Sequence, residues 1–295
     1  MKQLRSLDHA GPLAGRRILC RLDWNVPLHS ETGGITDVTR IRSTLPTLRE
    51  LLDQQARVII MSHLGRPSAP NDRESLRIIA DYLPEVLPYP VHFVEDIVGE
   101  KAQQAAKDLS PGSCLILENL RFDPREKAND AKFSRDLANL ADIYVNDAFG
   151  SAHRAHASIV GVPQYLPAYA GKLMQQEITE LTRVLDNPAP PYWVIIGGAK
   201  VSDKVDLLGQ LVQLADGIVI GGGMANTFLA AQGVFMGRSK VEADAVETAK
   251  DLLEQAKQRG IPVILPQDVV VTSEFRRDAL WRIASVNDIQ SNEMA

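Results

Sequence analysis

Residues 18–27 read Ile18-Leu19-Cys20-Arg21-Leu22-Asp23-Trp24-Asn25-Val26-Pro27, an apolar run that turns at once into charged and polar residues and then a proline. An unbroken apolar run, as opposed to an alternating one, suits a strand buried on both faces, and such strands belong to parallel sheets covered by helices. The same signature recurs at 58–62, 91–94, 114–117, 143–146, 193–196, 218–220 and 263–265, with longer helical stretches between most of the runs. The pattern predicts an α/β chain built on parallel sheets.

At 295 residues the chain exceeds what one core usually organises, about 250 residues, so two domains are expected. Leu173, Met174, Ile178, Leu181 and Leu185 recur at helical spacing and predict a helix with one packed face. Asn187-Pro188 should stop it. The following Pro188-Ala189-Pro190-Pro191 has fixed φ values and no amide donors, which suits a stiff connector and marks the domain boundary. A formal charge of −5 argues against a broad nucleic-acid or acidic-membrane surface. The start lacks the apolar core of a signal peptide, and no run of about 18 uncharged apolar residues occurs, so a cytoplasmic protein without membrane contact is expected. Cys20 and Cys114 sit in apolar runs and read as buried thiols, not a disulfide framework.

In a parallel α/β sheet, ligands bind outside the carboxyl ends of the strands. The first run leads into Arg21, Asp23 and Asn25, the second into Ser62-His63-Leu64-Gly65-Arg66-Pro67, and the fourth into Glu118-Asn119-Leu120-Arg121-Phe122. The fifth leads through Asn146-Asp147-Ala148-Phe149-Gly150 to His153-Arg154, and Arg40 follows the first loop. Any one arginine is most simply a solvated charge or a partner for Asp23, Asp147 or Glu118. Four at one sheet edge point to a small polyanion, because the guanidinium fork matches phosphate and carboxylate oxygens. His153 and His156 form H-x-x-H without a third ligand nearby, which disfavours zinc, and no metal-ligating residues are assigned.

Two glycine clusters follow later strands: Gly197-Gly198-Ala199-Lys200-Val201-Ser202-Asp203-Lys204, and Gly221-Gly222-Gly223-Met224-Ala225-Asn226. Each leads toward a helix, where backbone amides face anions. Tight turns without any ligand remain the alternative. Neither cluster is a Walker A loop, and Asn226 stands where a dinucleotide fingerprint needs glycine, which disfavours a nicotinamide-dependent enzyme. Lys200 and Lys204 would share one face if their segment is helical.

The segments RLDWNVP, SHLGRP, ENLRF, VNDAFGSAHRAHAS, GGAKVSDK and GGGMANTF, in this order, resemble the motifs of phosphoglycerate kinases. The resemblance implies two doubly wound, Rossmann-like parallel-sheet domains joined by a hinge helix: residues 1–170 for 3-phosphoglycerate, 171–187 for the hinge, and 188–295 for the nucleotide. It implies substrate contacts from Arg21, Asp23, Asn25, Arg40, His63, Leu64, Gly65, Arg66, Arg121, His153 and Arg154. Nucleotide contacts would come from Gly198, Ala199, Lys200, Lys204, Gly221, Gly222 and Gly223, with Arg40 and Lys200 as catalytic cations. Substrates and cofactor would be 3-phosphoglycerate, 1,3-bisphosphoglycerate and Mg-ATP or Mg-ADP, handled by a monomer.

Two departures from the family stand out. Its Asp-Asp-Thr-Arg-Ile appears here as Asp37-Val38-Thr39-Arg40-Ile41, and the sequence ends at Ala295, roughly a hundred residues short, a large part of a typical domain. The Gly-Gly-Gly-Asp-Thr turn, whose aspartate assists Mg²⁺ in the family, has no counterpart before Ala295. The second domain is therefore expected to be incomplete and loosely packed with an exposed strand edge. The alternative function is a catalytically inactive chain that only binds 3-phosphoglycerate.

Overall fold

A computed structural model of the protein describes residues 4–186 and 188–295. The first three residues and Asn187 lie outside the described residues, and with them part of the expectation about the chain start and the assignment of Asn187 as helix stop.

The chain divides into two compact units, one ending at Arg183 and the other beginning at Val184. In the first, β1 (Arg17–Leu22), β2 (Arg57–Met61), β3 (Val91–Phe93), β4 (Ser113–Ile116), β5 (Ile143–Asp147) and β6 (Ala168–Ala170) form one sheet in the order β3-β4-β2-β1-β5-β6. Every pairing is parallel, with Cys20 opposite Ile60 on one side and Val145 on the other.

Because successive side chains of a strand point to opposite faces, the continuous apolar runs feed two cores. Ile18, Cys20, Leu22, Val58 and Ile60 join one cluster with Leu48, Leu51 and Leu52 of α2 (Leu45–Asp53) and Ile79 of α3 (Arg77–Tyr82). Leu19, Ile59, Met61 and Leu115 join the other, with Ala102 and Ala106 of α4 (Glu100–Asp108) and with Phe133 and Leu137 of α6 (Ala131–Ala138). Between them in chain order are the single turns α1 (Thr39–Arg42), before α2, and α5 (Pro124–Lys127), before α6. Each fully buried aliphatic side chain contributes about 1.5–3 kcal/mol. Both cysteines are buried and free, and burial pushes the Cys114 thiol up to about 12.

The predicted helix forms as α7 (Lys172–Asp186), and Asp147 Oδ1 accepts the Met174 amide near its start at 2.9 Å. Its expected stripe is not packed throughout: Met174 is buried while Leu181 and Leu185 are exposed. The compact units part within this helix, ahead of the proline connector, which is irregular as its composition predicts.

In the second unit β7 (Trp193–Gly197), β8 (Gly217–Gly221) and β9 (Val263–Ile264) form a parallel sheet in that order. Ile196, Ile218 and Ile220 pack with Leu208, Leu211 and Val212 of α8 (Val205–Leu214), Phe228 of α9 (Gly223–Ala231), and Ala249 and Leu252 of α10 (Val246–Gln258). The other face differs from the expectation of double burial. Ile195 is 83% exposed and Trp193 45%, the Trp193 ring lying where a Cβ on Gly217 would stand.

After β9 the chain adds an antiparallel pair not among the expected strands, β10 (Asp268–Thr272) and β11 (Trp281–Ser285). Its period-two pattern buries Val271 and Ala284 against Leu229 and Met236 and leaves Val270, Trp281 and Ile283 exposed. Among the described residues no helix is long and apolar enough to cross a membrane.

Candidate functional site

The carboxyl ends of β1, β2, β4 and β5 bring most of the predicted residues of the first unit together. At the turn after β2, Gly65 has φ +64°, and an added Cβ would overlap the Glu74 carboxylate, so the position suits glycine alone. That turn is tied down from three sides. Asn25 Oδ1 accepts the Gly65 amide at 2.8 Å, Arg121 donates to the Gly65 carbonyl, and Glu74 Oε1 accepts the Arg66 amide at 2.8 Å. Leu64 is buried and held through its backbone by Asn119, so its side chain belongs to the core.

Arg40, half exposed on α1, donates to Asp23 Oδ2 at 2.9 Å. Asp37 caps the turn beneath it by accepting the Thr39 amide at 2.6 Å, and the Thr39 hydrogen bonds hold its carboxyl below the usual range. Of the three acids considered as arginine partners, Asp23 alone pairs with a predicted site arginine. Glu118 accepts from Ser75 and the Leu76 amide, and Asp147 serves the start of α7.

Arg21 is placed differently from the expectation. It lies within β1 and is 1% exposed. Its Nε donates to Ser158 Oγ at 3.0 Å, one terminal nitrogen donates to the Leu22 carbonyl, and the other lies 2.9 Å from His63 Nδ1. It therefore supports the site from below, its hydrogen bonds taken up by protein groups. Sequence reasoning missed Ser158 and Glu126, the latter also 1% exposed. Glu126 accepts the Ser158 amide at 2.9 Å and the Ser158 hydroxyl at 2.6 Å.

The electrostatics record how close the arginines are. Burial, and then the charges of Arg154, Arg21 and Arg66, pull Arg121 below the ordinary arginine range. His63 is 3% exposed, and burial with Arg21, Arg121, Arg154 and His156 pushes its pKa far below that of a free imidazole. It is neutral at physiological pH. His153 is exposed, and among the described residues no hydrogen bond ties its side chain to this cluster. A separate groove of about 780 Å³, lined by Glu95, Asp96, Glu118 and Asp123 among others, shares none of the predicted residues. Its carboxylates suit it poorly to a polyanion.

In the second unit the two glycine turns meet at the ends of paired strands, Gly197 standing opposite Gly221. Gly222 has φ +65° and caps α9, while the Met224 amide donates to the Gly198 carbonyl at 2.8 Å. Lys204 lays its stem over Gly198, with Cε 3.0 Å from where a Cβ would sit. Lys200 and Lys204 do not share a helix face, because Lys200 lies in the loop and Lys204 ends a 3₁₀ turn before α8. Nor are all the amides free. Glu242, which sequence reasoning missed, accepts those of Val201 at 2.8 Å and Ser202 at 3.1 Å as well as the Ser202 hydroxyl, and these bonds hold its carboxyl below the usual range.

Among the described residues no three His, Cys, Asp or Glu side chains converge as a metal site. Magnesium bound with a nucleotide usually takes only one or two carboxylates besides the phosphates, so a cluster of three is not what such an ion requires.

This geometry has close counterparts. The family model for phosphoglycerate kinase matches residues 7–295. A phosphoglycerate kinase of Moorella thermoacetica is 52% identical over 285 residues, covering 96% of this chain and 72% of the relative. One from Roseiflexus sp. is 52% identical over 294 residues, covering 98% and 72%. Among solved structures, the phosphoglycerate kinase of Coxiella burnetii superposes with a TM-score of 0.84 at 36% identity, covering 99% of this chain and 73% of that one. Matching sequence and backbone over nearly all 295 residues, with the arginine-lined strand ends inside the matched region, leaves one conclusion: the chain belongs to the phosphoglycerate kinase family.

Proposed function

We propose that residues 1–170 hold 3-phosphoglycerate, or 1,3-bisphosphoglycerate in the reverse direction, through Arg40, Arg66, Arg121, Arg154, His63, Asn25 and the Gly65 turn. Residues 171–187 serve as the hinge helix. Residues 188–295 offer Lys200, Lys204 and the paired glycine turns of 198–199 and 221–223 to an adenine nucleotide. The family's reaction is the reversible transfer of a phosphoryl group between 1,3-bisphosphoglycerate with ADP and 3-phosphoglycerate with ATP, a step of glycolysis with a carboxyl group as acceptor. The observation that carries the assignment is the gathering of Arg66, Arg121 and Arg154 beside the buried Arg21, where burial first and then these charges pull Arg121 below the ordinary arginine range. Positive charges held together against their own repulsion are an anion site.

The chemistry asks little acid–base work of the protein. A carboxylate nucleophile has a pKa of about 4 and is ionised at neutral pH, so no general base is needed. His63, neutral and with Nδ1 facing an arginine, serves as a hydrogen-bond donor instead. Arg40 is held by Asp23 until an anion competes for it, and it then neutralises charge on the equatorial oxygens. Lys200 supplies the corresponding cation on the nucleotide's side. Magnesium, when bound to the nucleotide, screens its phosphates, and every contribution above comes from the chain's own side chains. A coupled assay of ATP consumption with 3-phosphoglycerate tests the reading. Activity dependent on both substrates is expected, and binding of 3-phosphoglycerate without turnover would favour the binding-only alternative.

A further inference from the structure

Glu126, Ser158, Arg21 and His63 form a continuous buried chain, of which His63 alone has been given a role above. Glu126 accepts two hydrogen bonds from Ser158, whose hydroxyl receives Arg21 Nε at 3.0 Å, and Arg21 reaches His63 Nδ1 at 2.9 Å. Arginine only donates, so Nδ1 must accept, and the single proton of a neutral imidazole then sits on Nε2. Nε2 is buried and has no hydrogen-bond partner among the described residues, an arrangement that a structural histidine seldom shows. We propose that Glu126 and Ser158 are positioning residues that orient Arg21 so as to fix His63 in its Nε2–H tautomer, keeping one neutral donor for the anionic substrate amid fixed cations.

A neutral donor has a purpose here. Arg21, Arg121, Arg154 and His156 all face His63, with Asp23 Oδ1 at 3.9 Å, and a further cation would add repulsion to the unliganded site. Glu126 supplies the buried countercharge for Arg21, and its carboxyl is raised by burial against the pull of Arg21. Exchanging it for Gln keeps the volume but turns one of its two acceptors into a donor opposed to Ser158.

The test is ¹⁵N spectroscopy of the histidine rings in the whole chain, with His63 assigned by comparison with His63→Gln. In the wild type His63 should show the Nε2–H pattern from pH 5.5 to 8.5 without titrating, and 3-phosphoglycerate should shift it. Glu126→Gln and Ser158→Ala should mix the tautomers or bring titration into this range, and raise the KM for 3-phosphoglycerate about tenfold while kcat changes far less, the loss of one hydrogen bond. Glu126→Gln should also lower the melting temperature, because it leaves the buried Arg21 without its countercharge, so the ring tautomer and the separation of KM from kcat, not stability, distinguish the relay from a purely structural role. A wild-type His63 that is Nδ1-protonated or charged overturns the proposal, as does a Glu126→Gln protein with unchanged His63 signals and KM. Should Ser158→Ala fail to fold, the wild-type spectrum and Glu126→Gln still decide. The proposal rests on the phosphoglycerate reading for KM alone. A tautomer that shifts in Glu126→Gln, with no response to 3-phosphoglycerate in the wild type, supports the relay and overturns the substrate assignment.

Discussion

Val58-Ile59-Ile60-Met61 and Trp193-Val194-Ile195-Ile196 are similar as sequences, four apolar residues leading into a loop of polar and glycine residues. In β2 the first set is buried on both faces, shared between two cores. In β7 Ile196 is buried while Ile195 is 83% exposed. An apolar run thus states what a strand is able to bury, and whether it does so depends on elements supplied elsewhere in the chain. The first unit has α2 and α3 in one core and α4 and α6 in the other, so both faces of its sheet are covered, whereas in the second unit α8, α9 and α10 join the sheet in one core and the further cluster of Leu229, Met236, Val271 and Ala284 packs on β10 and β11. The arginine site is therefore mounted on a sheet buried on both faces, while the glycine turns sit on a sheet that leaves Trp193 and Ile195 exposed.

Matched substitutions break or sharpen this contrast most strongly. Ile59→Ala should cost about 2–5 kcal/mol, and Ile195→Ala no more than about 0.5 kcal/mol, in denaturant unfolding followed separately for each unit. Equal costs would mean that the face of β7 is covered in solution. On the working surface of the first unit, Arg40→Ala should lower kcat about 10²–10³-fold with a much smaller loss of 3-phosphoglycerate affinity. Comparable losses in both would mark Arg40 as a ground-state contact.

Ligand linkage gives the next effect. At about 100 times its dissociation constant, 3-phosphoglycerate should stabilise the first unit by about 2.7 kcal/mol and leave the second transition in place. One shared transition that moves as a whole would show that the units melt together.

The smallest effect concerns pH. Although burial pushes it up, the Asp142 carboxyl is held below the usual range by Arg17, through the side chain at 2.8 Å and the amide at 2.9 Å. A depressed carboxyl adds stability that is full above its unfolded pKa and is lost as pH falls through the folded one. Because Asp142 is 39% exposed, Asp142→Asn should cost only about 0.2–1 kcal/mol at pH 7, the difference closing as pH falls through the depressed folded pKa of Asp142. A constant difference across that range would remove the ion pair as its cause.

The eight strands read from the sequence have unbroken apolar runs, but such a run is not sufficient for detection: Val269-Val270-Val271 of β10 is one too and is not among them. β6 was hidden because Ala168-Tyr169-Ala170 is short and carries little apolar surface, and β11 because Trp281-Arg282-Ile283-Ala284-Ser285 alternates in a polar context. The arginines of the site were legible because each follows a strand within a recognisable motif. Glu126 and Ser158 were not, since the Arg21–Ser158 contact joins residues 137 apart in sequence and only the folded sheet brings them together. Arg21 itself was legible as a functional residue but not as a buried one, for its position inside β1 rather than after it decides that. Glu242 escaped notice for the same reason as Glu126, meeting Ser202 only across 40 residues of chain.

The central claim is that the first unit carries an assembled binding site for 3-phosphoglycerate. Titration calorimetry of the whole chain tests it most directly, comparing wild type with Arg121→Ala at two salt concentrations. One molecule should bind per chain, more weakly at higher salt, and Arg121→Ala should lose at least about tenfold in affinity, the worth of a charge-assisted hydrogen bond. Absence of binding by the wild type, or equal binding by the variant, would contradict it.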